Sequence, residues 1–373
     1  MRLRWATLAC ATALCAACSS PSGPKPADPP RIDKPQRVRT LWSASVGSAE
    51  RFTFVPAVAG GAVYAAARNG TVTALDEKTG ERRWRTDLEL KLSGGVGADE
   101  RTVAVASEEG EVVALEAQSG KVRWRARASS EVLAAPAVAS GLVLVRSIDS
   151  RVFAFGADDG KRRWVYQRAP TTLLVRAPAG IAVGGGLAFV GFPGGRLAAI
   201  ALENGAVRWE ATVAAPRGAT ELERVTDVIG DPALQGREVC AAAYRSRLAC
   251  YDAATGRQLW AREVASLSGV SLDARYAFVA DDRGAVHALD RSSGQSVWKQ
   301  DKLAHRQLST PFAGGEAIAV GDFEGYVYFM ARETGAFVAR SDTGGGAVRA
   351  TPQRLGAGLL VQTEDGGLFA LAP

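Results

Sequence analysis

The 373-residue chain holds only two histidines, two methionines and five cysteines, and Cys10, Cys15 and Cys18 fall in its first stretch. His287 and His305 have no second histidine or cysteine at ligand spacing, which excludes the usual zinc patterns. There is no Gly-x-Ser-x-Gly elbow, no Walker loop and no EF-hand loop. The sequence therefore assigns no catalytic residue, no metal and no cofactor. After residue 18 no apolar run is long enough to cross a bilayer. Charge of one sign is also scarce in the body. The whole chain carries +6, but +5 of that lies in residues 1–40, which leaves the rest at +1. A near-neutral body argues against a nucleic-acid partner.

What the chain does have is a repeat. GTVTALDEKTGERRW (Gly70 to Trp84) returns as GEVVALEAQSGKVRW (Gly110 to Trp124), SRVFAFGADDGKRRW (Ser150 to Trp164) and GRLAAIALENGAVRW (Gly195 to Trp209). It returns again as SRLACYDAATGRQLW (Ser246 to Trp260), GAVHALDRSSGQSVW (Gly284 to Trp298) and GYVYFMARETGAFVA (Gly325 to Ala339). The seventh copy has lost its tryptophan, and an eighth, GGLFALAP from Gly366, is cut off by the chain end. A period of roughly 40 residues is the signature of a repeat architecture.

Each copy has a mechanical reading. The first glycine closes a hairpin where positive φ is needed. The alternation around Val72 and Ala74 predicts a half-buried strand. Asp76 and Gly80 bracket a second turn, the aspartate bonding nearby backbone and the glycine taking the left-handed conformation. Trp84 sits on the next strand, and Ala62 to Ala66 make one more upstream. Four short strands per period are one propeller blade. Acidic residues such as Asp76, Asp252 and Asp290 recur in phase, which favours turn chemistry over a catalytic pair. A tryptophan at one fixed place per blade is expected between blades, each burying about 150–250 Å².

The chain's ends complete the count. VRTLWSASV (Val38 to Val46) is a tryptophan strand with no repeat before it, and the last repeat lacks that strand. Joined, they make one blade from both termini, and with seven internal units the expectation is an all-β, eight-bladed propeller over residues 38–373. Interlocked ends protect the edges of the ring. Ahead of it, Arg2 and Arg4 precede an apolar run that reads as a secretory signal over 1–18. Cys-Ala-Ala-Cys-Ser at 15–19 resembles a bacterial lipobox, with Cys18 as the lipid-bearing residue; an ordinary secretory signal is the alternative. Six of the sixteen prolines lie in residues 19–37, which predicts an extended, structureless tether.

The two longest tryptophan intervals are consecutive, and they place long loops at 165–180 and 210–229. Inserts in repeat proteins map to loops on one face, often the binding face. Leu173, Leu174 and Val175 form an apolar run before Arg176, either an exposed interface anchor or a lid folded onto the propeller. The second loop adds Glu221, Glu223, Arg224 and Asp227, which suit a charged partner. Cys240 and Cys250 flank a hairpin turn. Export permits a disulfide between them, two buried thiols being the other reading.

The A-L-D-x-x-T-G-x-x-x-W repeat resembles that of pyrroloquinoline-quinone enzymes. Those enzymes carry a vicinal cysteine pair and an acidic calcium site, and neither is evident in this sequence. A quinoprotein-like enzyme or a small-ligand binder using the central funnel remains the alternative reading. A closer resemblance rests on the lipobox, the tether, eight repeats and the segments PTTLLVRAP (170–178), GATELERVTDV (218–228), LAHRQLSTP (303–311) and VGDFEGYVYF (320–329). Together they resemble the BamB family of outer-membrane lipoproteins over the whole mature chain. That resemblance implies a non-enzymatic subunit of the BAM complex, lipid-anchored to the outer membrane and facing the periplasm. Its implied partners are the POTRA domains of BamA and other subunits of that complex. It places partner contacts at Leu173, Val175, Arg176 and Asp227. An acidic contact expected two residues later is Ile229 here.

Overall fold

A computed structural model describes residues 24–169, 173–221 and 223–373. Every regular element among them is a β-strand. The strands form eight antiparallel four-stranded sheets. Blades 1 to 7 each take consecutive strands, within residues 57–87, 97–127, 137–167, 181–212, 228–263, 266–300 and 312–342. Blade 8 combines Gln353–Leu355, Gly358–Gln362 and Gly367–Ala372 with Arg39–Ser45 from the other end of the chain. Arg39 to Ser45 pairs antiparallel with Gly367 to Ala372, so the termini close the ring.

In each internal blade the strands run A to D from the centre outward. The A–B and C–D turns therefore lie on one face of the disk. The B–C turns and the D–A connections to the next blade lie on the other. The C–D turn follows the expected chemistry. Asp76 Oδ1 accepts from the backbone N–H of Lys78 (2.9 Å) and Thr79 (3.0 Å), and Gly80 has φ 72. The alternation reading needs correcting. Strand C of blade 1, Thr71–Asp76, is buried along nearly its whole length rather than on one side. A blade is covered on both faces by its neighbours, so even Thr71 and Thr73 are enclosed. Only the outer D strands alternate, as in Arg82–Asp87.

The core is accordingly a set of seams between blades. The cluster joining blades 2 and 3 holds Val112, Ala114 and Trp124 from one and Val143, Phe153 and Phe155 from the other. Each of the seven tryptophans among the described residues also reaches into the next blade's C–D turn. Trp42 Nε1 donates to Glu77 O (3.0 Å), Trp124 to Ala157 O (2.8 Å) and Trp298 to Arg332 O (2.9 Å). Trp84, Trp164, Trp209 and Trp260 do the same. The turn glycine lies flat beneath the indole: a Cβ at Gly160 would stand 2.6 Å from Trp124 Cδ2. That position needs glycine for its left-handed φ and for the ring pressed on it. Burial of the indole is worth roughly 4–6 kcal/mol gross at about 25 cal/mol per Å².

The N-terminal segment departs from expectation over the residues described. Residues 24–37 have no regular secondary structure, yet they are docked rather than structureless. Ala27 N donates to Ala304 O (2.9 Å) and Gln36 N to Val338 O (2.7 Å). Proline richness sets an extended backbone, but here two of the remaining N–H groups, those of Ala27 and Gln36, find partners on the propeller.

Candidate partner-binding face

Both long loops are D–A connections, so they emerge on the same face, beside each other. The first runs from the end of blade 3 at 167 to Ile181, the second from the end of blade 4 at 212 to Val228. Asp227 ties them together. Its Oδ2 accepts from Val175 N (2.6 Å) and its Oδ1 from Gly194 N (3.0 Å). Its own carbonyl accepts from Tyr244 N (2.8 Å). One carboxylate thus holds the apolar run of the first loop to the B–C turn of blade 4, and its backbone adds the B–C turn of blade 5. Asp227 is 4% exposed, a brace rather than a surface charge.

Arg176 is braced from the other side. Its Nη2 lies 2.7 Å from Glu131 Oε1 and 2.6 Å from Oε2. Glu131 sits in the connection from blade 2 to blade 3 and is buried, while the Arg176 side chain remains 58% exposed. The guanidinium is held in place with a face left open to solvent. Behind the loop lies Arg146 on blade 3, its guanidinium over the ring of Phe192. Burial pulls its pKa down to about 10, and the Asp227 charge opposes that fall.

Between these two braces the apolar run divides. Leu173 is 44% exposed, whereas Leu174 and Val175 are half-buried. The run is neither a free anchor nor a closed lid: its backbone is pinned and its first leucine stands out. The end of the loop is locked as well, with Gly180 N donating to Asp231 Oδ1 (2.8 Å) and Gly230 N to Pro178 O (3.1 Å).

In the second loop Glu221, Glu223 and Arg224 are exposed. Glu223 closes a local turn by accepting from Thr220 N (3.1 Å) and Ala219 N (2.9 Å), and those bonds lower its pKa. Ile229, where an acidic residue is expected, is buried.

Sequence reasoning brought Leu173, Val175, Arg176 and Asp227 to one place, and the structure does place them together. It missed Glu131, Gly194 and Arg146. Glu131 lies in an ordinary connection whose sequence carries no mark of its role. Cys240 and Cys250 are directly opposite on neighbouring strands of blade 5 and are joined as a disulfide, with Cα atoms 4.0 Å apart. His287 Nε2 lies 2.9 Å from Asp281 Oδ2, a paired side chain on blade 6. Among the described residues no cluster of three or more His, Cys, Asp or Glu is placed to hold a metal ion. Cys18 lies outside the described residues.

On the same face the channel through the ring opens into a cavity of about 600 Å³, bordered by Val55, Pro178, Asp231, Leu267 and Gln307. Leu267 is 47% exposed there. The lining mixes aliphatic, amide and acidic groups.

A ring of eight such blades, closed by both termini and clasped by tryptophans, defines an eight-bladed β-propeller of PQQ-like repeats. A family model described as outer membrane protein assembly factor BamB matches residues 36–87 and 68–300. The chain belongs to the BamB family of outer membrane protein assembly factors. It is 46% identical to the BamB of Bordetella pertussis over 92% of this chain and 89% of that one. It is 41% identical to the BamB of Burkholderia pseudomallei over 99% and 98%. Among solved structures, BamB from Moraxella catarrhalis superposes with a TM-score of 0.82 at 25% identity, covering 90% of this chain and all of that one. Quinohemoprotein alcohol dehydrogenase from Comamonas testosteroni superposes at 0.73 with 14% identity, over 90% of this chain and 76% of its own. That likeness is one of fold.

Proposed function

We propose that the chain is a non-enzymatic lipoprotein scaffold, held at the periplasmic side of the outer membrane by lipid on Cys18. It binds the POTRA domains of BamA through the face carrying the two long loops, and so assists insertion of outer-membrane proteins. The observation that carries this reading is the braced loop. Two buried acids, Asp227 and Glu131, hold Val175 and Arg176, and Leu173 projects between them. A fixed apolar side chain beside a fixed charge suits a partner better than a substrate, because the ordering cost of the loop is met before binding.

Within the site, Leu173 and Arg176 are the contact residues. Val175 and Asp227 set the loop's shape. Co-purification of BamA with the full-length protein tests this. Leu173→Ala should lose BamA with the thermal melt unchanged, and Arg176→Ala and Asp227→Ala should each lose BamA with a lowered melt, because each removes a brace and Arg176→Ala leaves the buried Glu131 unpaired. Full binding by the Leu173→Ala, Arg176→Ala double variant would move the interface elsewhere. The cavity at the channel mouth favours a second reading, a bound small ligand. Saturable binding of a quinone in the presence of calcium would support it.

A further inference from the structure

The docked N-terminal segment has a direction that its sequence does not show. Strand D of blade 8 begins at Arg39 on the face of the C–D turns. A chain leaving there freely would leave from that face. Instead Gln36 is bonded to Val338, near the start of strand D in blade 7, so this end of the segment sits by the same face. Nine residues earlier Ala27 is bonded to Ala304, in the D–A connection on the opposite face. Nine extended residues span about 30 Å, enough to cross a blade made of six-residue strands at about 3.3 Å per residue. Pro24 then reaches the rim of the central cavity, on the face that carries the partner loops.

The landing point is built. Arg306 is 1% exposed and caged over the rings of Phe323, Tyr326 and Tyr328. Its Nε donates to Asp322 Oδ2 (2.7 Å), which also accepts from Tyr328 OH (3.0 Å), and its Nη2 pairs with Glu324. Nη1 donates to Ala27 O (2.8 Å). Ala27 is thus gripped at both backbone groups, its N–H by Ala304 and its carbonyl by a guanidinium held in a cage. The chain just past Gln36 is also held. Val38 packs against the cluster that contains Val327, Phe329 and Ala339, at the one seam between blades that has no tryptophan.

We infer that residues 24–36 are a strap that carries the N-terminus across the disk, so that the anchored protein turns its partner-loop face toward the membrane. This rests on the reading of Cys18 as the lipid-bearing residue. From Cys18 to Pro24 the chain reaches at most about 20 Å, whereas a free tether from Cys18 to Arg39 would reach about 70 Å. The first length holds one face near the lipid. The second would let the disk turn over. The surface that faces the bilayer is then the ring of D–A connections and B–C turns.

Two measurements on the full-length lipoprotein test the inference. The protein is reconstituted in vesicles of phosphatidylethanolamine and phosphatidylglycerol, and single fluorophores are read against a quencher in the lipid headgroups. Glu109→Cys and Arg283→Cys label B–C turns, and Gln118→Cys and Gln295→Cys label C–D turns of the same blades. Quenching should be severalfold stronger at the B–C labels. Ala27→Pro removes the donor to Ala304 without touching the Arg306 cage, and should abolish the difference while speeding trypsin cleavage after Arg31 severalfold.

Equal quenching on both faces of the unmodified strap overturns the inference. So does a bias that survives Ala27→Pro. Failure of the protein to float with the vesicles would overturn the lipid-anchor reading itself, and the orientation with it. BamA co-purification is a separate readout and would be unaffected by a failed strap.

Discussion

Seven of the eight seams between blades are alike, and the eighth is different. At the seven, an indole from one blade lies on the turn glycine of the next and donates to a carbonyl there. At the seam between blades 7 and 8 the tryptophan position is Ala339, fully buried, and Val38 packs in its cluster. The reason is topological. A tryptophan needs a C–D turn to land on. Blade 8 has none, because its D strand, Arg39–Ser45, is not joined to its C strand by a turn but comes from the N-terminal side of the chain. The lost tryptophan is therefore part of how the ring closes, not decay of a repeat.

The largest effect that separates the two kinds of seam is at a clasp. Trp124→Ala should cost about 3–5 kcal/mol in chemical denaturation, since it leaves a cavity and an unpaired carbonyl at Ala157. A loss below about 0.5 kcal/mol, the usual range of a surface change, would mean the seams do not depend on their indoles. Next is the reverse substitution. Ala339→Trp restores the repeat's motif and yet should destabilise by about 1–3 kcal/mol, because the site is already filled and offers no turn glycine. A gain in stability would show that the eighth seam is an ordinary one with a residue missing.

Deletion of residues 24–36, keeping the signal and Cys18, should cost less, about 1–2 kcal/mol. The strap's bonds are lost, but water can reach the freed groups, so the net value per bond is modest. A collapse of the melt would make the strap a structural part of the seam.

The smallest effect concerns the turn that receives an indole. Hydrogen bonding to Arg83, and then to the N–H groups of Thr79 and Lys78, lowers the Asp76 pKa from 3.8 to about 2. An acid depressed on folding adds stability that is complete above 3.8 and is lost as pH falls toward about 2. Wild type and Asp76→Asn should therefore converge across that window and differ slightly at neutral pH. Curves that stay parallel down to the lower limit would remove Asp76 from the account of the turn.

Much of this fold is legible in the residues because a repeat announces itself. A Gly at one offset in all seven copies, a Trp in six and an Asp in three mark a turn and its neighbour's indole, and the repetition removes the ambiguity that any one copy would have. The composite blade was legible for the same reason, as half a motif at each end. The two long loops were found as departures from the period. Their mechanics were not legible. Asp227 reads as a surface acid beside Glu221 and Glu223, and the structure buries it under the first loop. Glu131 lies far from Arg176 in sequence and is brought to it only by the curvature of the ring.

By itself, then, the sequence determined the number of blades, the turn chemistry, the clasping residue and the closure, because each depends on residues near one another or repeated in register. Tertiary structure alone decided which faces of a strand are buried, since alternation cannot reveal that both sides of a blade meet another blade. It decided that Asp227 braces and Leu173 projects, because burial of a loop residue depends on what lies across the gap. And it decided that a proline-rich segment is a strap: its composition fixes an extended backbone, but only the caged Arg306 and the carbonyls of Ala304 and Val338 give that backbone somewhere to bind.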